Sequence, residues 1–137
     1  MVAYVCCNDT KTFFIMTLEE AQQQKIAPWD NVVEVKPNTV VFADRYPCTP
    51  GHLLFVPKQN SNLNWIVYAM ADALAHGTHM VEQGKCDGFN IGFNSGTAAG
   101  QTVMYPHVHL IPRREGDVED PVGGVRNTIP GKGNYKK

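Results

Sequence analysis

The stretch Gly100-Gln101-Thr102-Val103-Met104-Tyr105-Pro106-His107-Val108-His109-Leu110-Ile111-Pro112-Arg113 decides how the chain is read. Side chains alternate along a β-strand, so His107 and His109 are predicted on one face about 6–7 Å apart, with Val108 and Leu110 turned toward a core. Tyr105 joins the imidazole face if the strand begins that early, and Pro112 is expected to end it. Two histidines on one face suit metal ligation, and no less an ordinary half-buried strand. Just before them, Asn94-Ser95-Gly96-Thr97-Ala98-Ala99-Gly100 leads into Gln101 and Thr102. Its glycines let backbone N–H groups turn toward a ligand, and Asn94, Gln101 and Thr102 add neutral donors, which suits phosphate oxygens without lysine.

Outward from that strand, Gly88–Asn94 reads as its hairpin partner. Before it, Leu63, Ile66, Val67, Met70, Ala73, Leu74, Met80 and Val81 recur at helical spacing, predicting one long helix capped by Ser61 or Asn62 and stopped near Gly84. His76 and His79 fall off that stripe and are expected to be exposed. His52–Val56 is a strand stopped by Pro57, and the β-branched runs Val32–Val35 and Thr39–Ala43 flank hairpin chemistry at Lys36-Pro37-Asn38. Thr17-Leu18-Glu19-Glu20 is a capping box opening a short helix toward Lys25. Strands, a long helix and then more strands indicate an α+β domain around an antiparallel sheet of about five strands. A third polar cluster joins Phe42-Ala43-Asp44-Arg45 to Thr49-Pro50-Gly51-His52, where Asp44 suits ribose hydroxyls or a solvated pairing with Arg45.

Composition narrows the classes. A length of 137 residues fits one domain. With 12 Lys+Arg against 13 Asp+Glu and a net charge of −1, no cationic field favours nucleic acid or an anionic membrane. No apolar run approaches the ~20 residues a membrane span needs. Met1–Thr10 has no basic start followed by an apolar stretch, so a cytoplasmic location is expected. Cys6, Cys7, Cys48 and Cys86 form no C-x-x-C, which predicts free thiols rather than a zinc or redox motif.

Together, Gly100–Arg113 and Thr49-Pro50-Gly51-His52-Leu53-Leu54-Phe55-Val56-Pro57-Lys58 resemble two ordered blocks of the histidine triad (HIT) superfamily of nucleotide hydrolases and transferases. Asp44 and Asn94 fall where that family has an acidic and an amide residue, and the resemblance spans residues 32–113. It implies a single HIT-like domain over 1–113, with one long and one short helix, and an irregular tail over 114–137 packed on the domain or a partner subunit. It implies His107 as the nucleophile toward the α-phosphorus of a nucleoside phosphate conjugate, with His109 and His52 around the non-bridging oxygens. Asn94, Gln101 and Thr102 would orient the phosphate, Asp44 would hold the ribose, and Phe42 would lie near the base. Tyr105 stands where the family motif has its first histidine and could still donate one hydrogen bond to substrate. The resemblance further implies a purine-nucleotide substrate, no cofactor and a homodimer. With no C-x-x-C and Tyr105 in place of a histidine, no metal is expected. A catalytically weak or inactive nucleotide-binding module is the alternative that Tyr105 leaves open. Arg113, Arg114 and Arg126 could meet the far end of a substrate or form a solvated basic tail.

Overall fold

The computed structural model describes residues 3–5 and 12–137, with 3–5 and 12–14 described by backbone alone. Strands β1 (Ala3–Val5) and β2 (Thr12–Phe14) pair as a small hairpin. There follow α1 (Leu18–Gln23), β3 (Val32–Val35), β4 (Thr39–Ala43), β5 (Leu53–Pro57), α2 (Asn64–Glu82), β6 (Gly88–Gly92) and β7 (Val108–Arg113). The last five strands form one antiparallel sheet in the order β3-β4-β5-β7-β6. The predicted α+β class, five-strand sheet and pair of helices are therefore all present. No helix among the described residues is long and apolar enough to cross a membrane.

The capping box operates as predicted. Glu20 N–H donates to Thr17 Oγ1 at 3.1 Å, and the Glu20 carboxylate accepts from the Thr17 backbone. Two of the helix's orphan N-terminal donors are thereby satisfied. Strand alternation then divides the sheet into two faces. Val41, Leu53, Phe55, Val108 and Leu110 meet Ala69 and Ala73 of α2 on one face, while Phe42, Leu54 and Val56 meet Leu18, Ala21, Ala27 and Tyr105 on the other. Burying each Val, Leu or Phe of these sets contributes about 1.5–3 kcal/mol. A bond from Thr39 Oγ1–H to Asp72 at 2.6 Å ties β4 to α2.

Several boundaries differ from the sequence reading. β5 begins at Leu53 rather than His52, β6 ends at Gly92 rather than Asn94, and β7 runs through Pro112 to Arg113. The proline is tolerated because the β5 ladder stops at Leu110, leaving only β6 beside it. Neither Ser61 nor Asn62 is the N-cap of α2: Leu63 takes that position without a side-chain cap bond. The helical stripe resolves into two. Ile66, Met70 and Met80 pack inward around Ala69 and Ala73, whereas Leu63, Val67, Leu74 and Val81 face outward. His76 is half-buried with its ring edge-on to Phe55 at 5.5 Å, and only His79 is exposed.

Beyond β7 the tail includes a 3-10 helix at Gly124–Thr128 that the sequence pattern did not signal. Arg126 donates to the carbonyls of Gly133 at 3.0 Å and Lys132 at 3.1 Å, and lies over the Tyr135 ring.

α2 approaches the sheet closely at Gly77, where an added Cβ would lie 2.6–2.8 Å from the Phe89 ring. Replacing Gly by Ala adds about 1 kcal/mol of helix propensity, but overpacking costs about 1–3 kcal/mol. Gly77→Ala is expected to lower stability by roughly 1 kcal/mol net in urea denaturation. A stabilised variant would mean that Phe89 is free to move.

Candidate active site

On the sheet face away from α2, a cavity of about 980 Å³ is lined by Trp29, Asp44, Arg45, Tyr46, Leu54, Asn94, Gly100, Gln101, Thr102, His107 and His109, among others. β7 delivers the histidines as its alternation predicts: Val108 and Leu110 are buried, His109 is half-buried, and His107 stands just before the strand. The two imidazole centroids are 5.2 Å apart.

Hydrogen-bond partners fix which ring nitrogen carries each proton. His107 Nδ1 lies 2.9 Å from the Tyr105 carbonyl, which can only accept, so Nδ1 holds the proton and Nε2 keeps a lone pair. At His52 the assignment reverses. The Cys48 N–H donates to Nδ1 at 3.2 Å, so Nε2–H is left to donate to His109 Nδ1 at 2.9 Å. His109 must then carry its own proton on Nε2. One imidazole of the β7 pair is thus an acceptor at Nε2 and the other a donor at Nε2.

Burial keeps all three rings neutral near pH 7. It is the main cause lowering His52 and His107 below the usual histidine range. His109 is brought down to about 4 by burial, then by its neighbours His107 and His52, with Asp44 opposing. A neutral imidazole is the form a nucleophile requires.

Other expected site residues are placed differently. His52 is buried behind His109 and Asp44, its Nε2 3.4 Å from Asp44 Oδ2, and reaches the cavity only through them. Phe42 is fully buried in the core, and Trp29 stands between it and the cavity, 6.1 Å from Phe42 and 4.7 Å from the His107 ring. Tyr105 also belongs to the core: its ring is buried and its hydroxyl donates to the Pro57 carbonyl at 2.7 Å. What it offers the site is its backbone carbonyl. Gln101 borders the cavity, but its amide braces the loop, accepting from Gly96 N–H at 2.8 Å and donating to the Val103 and Met104 carbonyls. The loop's N–H groups behave alike. Ala99, Gly100 and Gln101 N–H donate to Gly96 and Thr97 carbonyls rather than toward a ligand. Asn94 and Thr102 remain as side-chain donors bordering the cavity. Asp44 is not paired with Arg45: it accepts from Tyr46 N–H at 2.8 Å, while Arg45 reaches Asp30 at 3.2 Å.

The three tail-side arginines bind the fold instead of lining the cavity. Arg113 joins Asp117 to Asn90, Arg114 reaches Thr49 and Pro50, and Arg126 closes the tail. Sequence reasoning missed Trp29. Its signal was a large aromatic inside the polar turn Pro28-Trp29-Asp30-Asn31, where bulk with no periodicity points to a site wall.

Among the described residues, Asp44, His52 and His109 have donor atoms within 4.8 Å of one another. The His52 Nε2 proton lies between two of those atoms, so a cation could enter only by breaking the His52–His109 bond. The arrangement fits a hydrogen-bonded relay better than a metal centre. Cys6 and Cys7, which bear on the expected lack of a zinc motif, lie outside the described residues.

The HIT domain family model matches residues 27–116. An uncharacterized HIT-like protein of Methanocaldococcus jannaschii is 33% identical over 98 residues, covering 64% of this chain and 72% of that protein. The asymmetrical bis(5'-nucleosyl)-tetraphosphatase of Schizosaccharomyces pombe is 31% identical over 88 residues, covering 60% of this chain and 48% of that one. The chain spans 22%, 63% and 41% of the length of three further curated relatives. A zinc-bound histidine triad family protein from Mycobacterium smegmatis superposes with a TM-score of 0.59 at 28% identity, covering 69% of this chain and 74% of that one.

The shifted histidines make stability pH-dependent with a definite sign. Their folded-state values lie below the ~6.5 of an unfolded chain, so the unfolded state binds more protons and stability rises with pH through that window. Folding free energy is expected to be full above about pH 6.5 and to fall toward about pH 4, where His109 protonates. Urea midpoints across that range check it: His109→Gln should flatten the profile, and a wild-type midpoint constant from pH 6.5 to 4.5 would contradict it.

Proposed function

The chain belongs to the HIT domain family, and on that footing we propose that it is a nucleotide hydrolase or transferase. It cleaves at the α-phosphate of nucleoside phosphate conjugates, of AMP-amidate or dinucleoside polyphosphate type, through a nucleotidyl-histidine on His107. One observation carries the reading: beside a roomy cavity, His107 has its proton held at Nδ1 by the Tyr105 carbonyl and its Nε2 lone pair left over. The named activity of the fission-yeast tetraphosphatase relative supports the same chemistry.

Nε2 of His107 attacks the α-phosphorus, forming a P–N bond as the leaving group departs with the electron pair of its own bond. The leaving group takes up a proton from solvent, which the attacking water or acceptor later returns. His109 Nε2–H donates to a non-bridging oxygen and stabilises the charge that gathers there. Asn94 and Thr102 orient the phosphate, and Asp44 holds the ribose. Attack by water or another acceptor then cleaves the P–N bond, releases the nucleotide and restores the lone pair at Nε2. In this reading the Tyr105 ring, buried in the core, takes no part in the step, and His107 and His109 carry it.

The base is a purine, resting in the cavity against Leu54. The working unit is a homodimer. Val67, Leu74 and Val81, seven residues apart on the outer side of α2, are each more than a third exposed, and among the described residues β6, which packs against α2, is the last strand of the sheet. An apolar stripe on a helix beside a terminal strand suits a second copy of the same chain.

Incubation with an AMP-amidate or a dinucleoside tetraphosphate should release AMP. His107→Ala should lower kcat by roughly a thousandfold or more while AMP still raises its melting temperature; equal turnover by both proteins would remove His107 from the chemistry. Sedimentation should find a dimer at micromolar concentration that Leu74→Glu converts to monomer, and a monomeric wild type would contradict the assembly.

A further inference from the structure

Trp29 is the largest side chain touching His107, and it lies outside the motif stretches Thr49–Lys58 and Gly100–Arg113. Its mount is rigid. Pro28 fixes the preceding φ, and the Trp29 carbonyl accepts from Gln22 Nε2 at 3.2 Å. On the following side, both oxygens of Asp30 take the Arg45 guanidinium at 3.2 Å, and the Asn31 carbonyl accepts from Ala43 N–H at 2.9 Å. Phe42 backs the indole. A segment tied to α1, β4 and the β4–β5 loop holds an aromatic ring where a free loop could not.

The indole is a partition. One side borders the histidine cavity, and the other borders a shallow depression edged by Gln22, Lys25 and Val32. The His107 ring stands against it at 4.7 Å, with His109 at 5.2 Å and the Tyr105 carbonyl at Nδ1. We propose, resting on the role of His107 given above, that Trp29 is a positioning residue for His107. Its indole confines the imidazole to the orientation that donates Nδ1–H to Tyr105 and keeps water from that flank of the ring. Without it the cavity and the depression merge, the imidazole gains a hydrated face, and the Tyr105 bond competes with water.

The groups that bear on the charge of His107 are Asp44, which favours protonation, and His109, which couples to it; the Asp30–Arg45 pair lies at the rim. Substitution at Trp29 alters none of these charges, so a change in His107 titration reports hydration. The experiment compares wild type with Trp29→Phe and Trp29→Leu. The His107 imidazole is titrated by NMR without substrate, and kcat and KM are measured with an adenosine 5'-phosphoramidate. The wild-type ring should titrate below about 6.5, Trp29→Phe close to wild type, and Trp29→Leu shifted up toward 6.5. Trp29→Leu should lose roughly tenfold or more in kcat with KM within about threefold, and Trp29→Phe should recover most of it. A Trp29→Leu protein with an unchanged His107 titration would overturn the proposal, as would a raised KM with unchanged kcat, which would make the indole a substrate contact. A wild type that cleaves no nucleotide conjugate would end the functional reading, while the substrate-free titration still decides the role of Trp29.

Discussion

A neutral imidazole has one proton for two ring nitrogens, and the Tyr105 carbonyl settles where His107 keeps its own. That bond depends on the packing behind it. The Tyr105 ring is locked in the core with its hydroxyl on the Pro57 carbonyl, and Pro106 restricts the turn into β7. The core that closes the sheet's α1 side therefore also aims the carbonyl. A shift of the Tyr105 backbone would free the Nδ1 proton to bond water instead, and with it the tautomer that leaves Nε2 of His107 bare.

Around this bond the site is built largely from neutral groups. The Cys48–His52–His109 chain passes hydrogen-bond polarity outward, so that β7 presents a lone pair at one ring and a donor at its neighbour. Burial stabilises both as uncharged rings, which suits a step in which negative charge gathers on phosphate oxygens and fixed dipoles receive it. The Gly-rich loop contributes shape. Gly96 and Gly100 take positive φ angles of 90° and 88°, which only glycine adopts readily, and the loop's amides close on themselves to hold Asn94 and Thr102 at the cavity's edge.

Much of this was legible in the sequence because strands have period 2. Alternation placed His107 and His109 on one face and Val108 and Leu110 on the other, and the capping box fixed the start of α1. Alternation says which way a side chain points, not how deep it lies. Phe42 and His52 therefore read as wall residues although one is core and the other stands behind His109. Tyr105 misled for a related reason: β7 begins three residues later, so the alternation did not extend to it. Helical periodicity could not divide the α2 stripe, since a residue turned to the sheet and one turned outward are equally apolar. Trp29 sits in a turn with no period at all, and only the fold brings it against His107.

Long-range ¹H–¹⁵N correlation of the imidazole rings above neutral pH tests the proton placement directly. His107 should carry its proton on Nδ1 with Nε2 bare, and His109 should be its mirror, protonated on Nε2. A His107 protonated on Nε2, or two rings sharing one tautomer, would contradict the assignment of nucleophile and donor from which the functional reading follows.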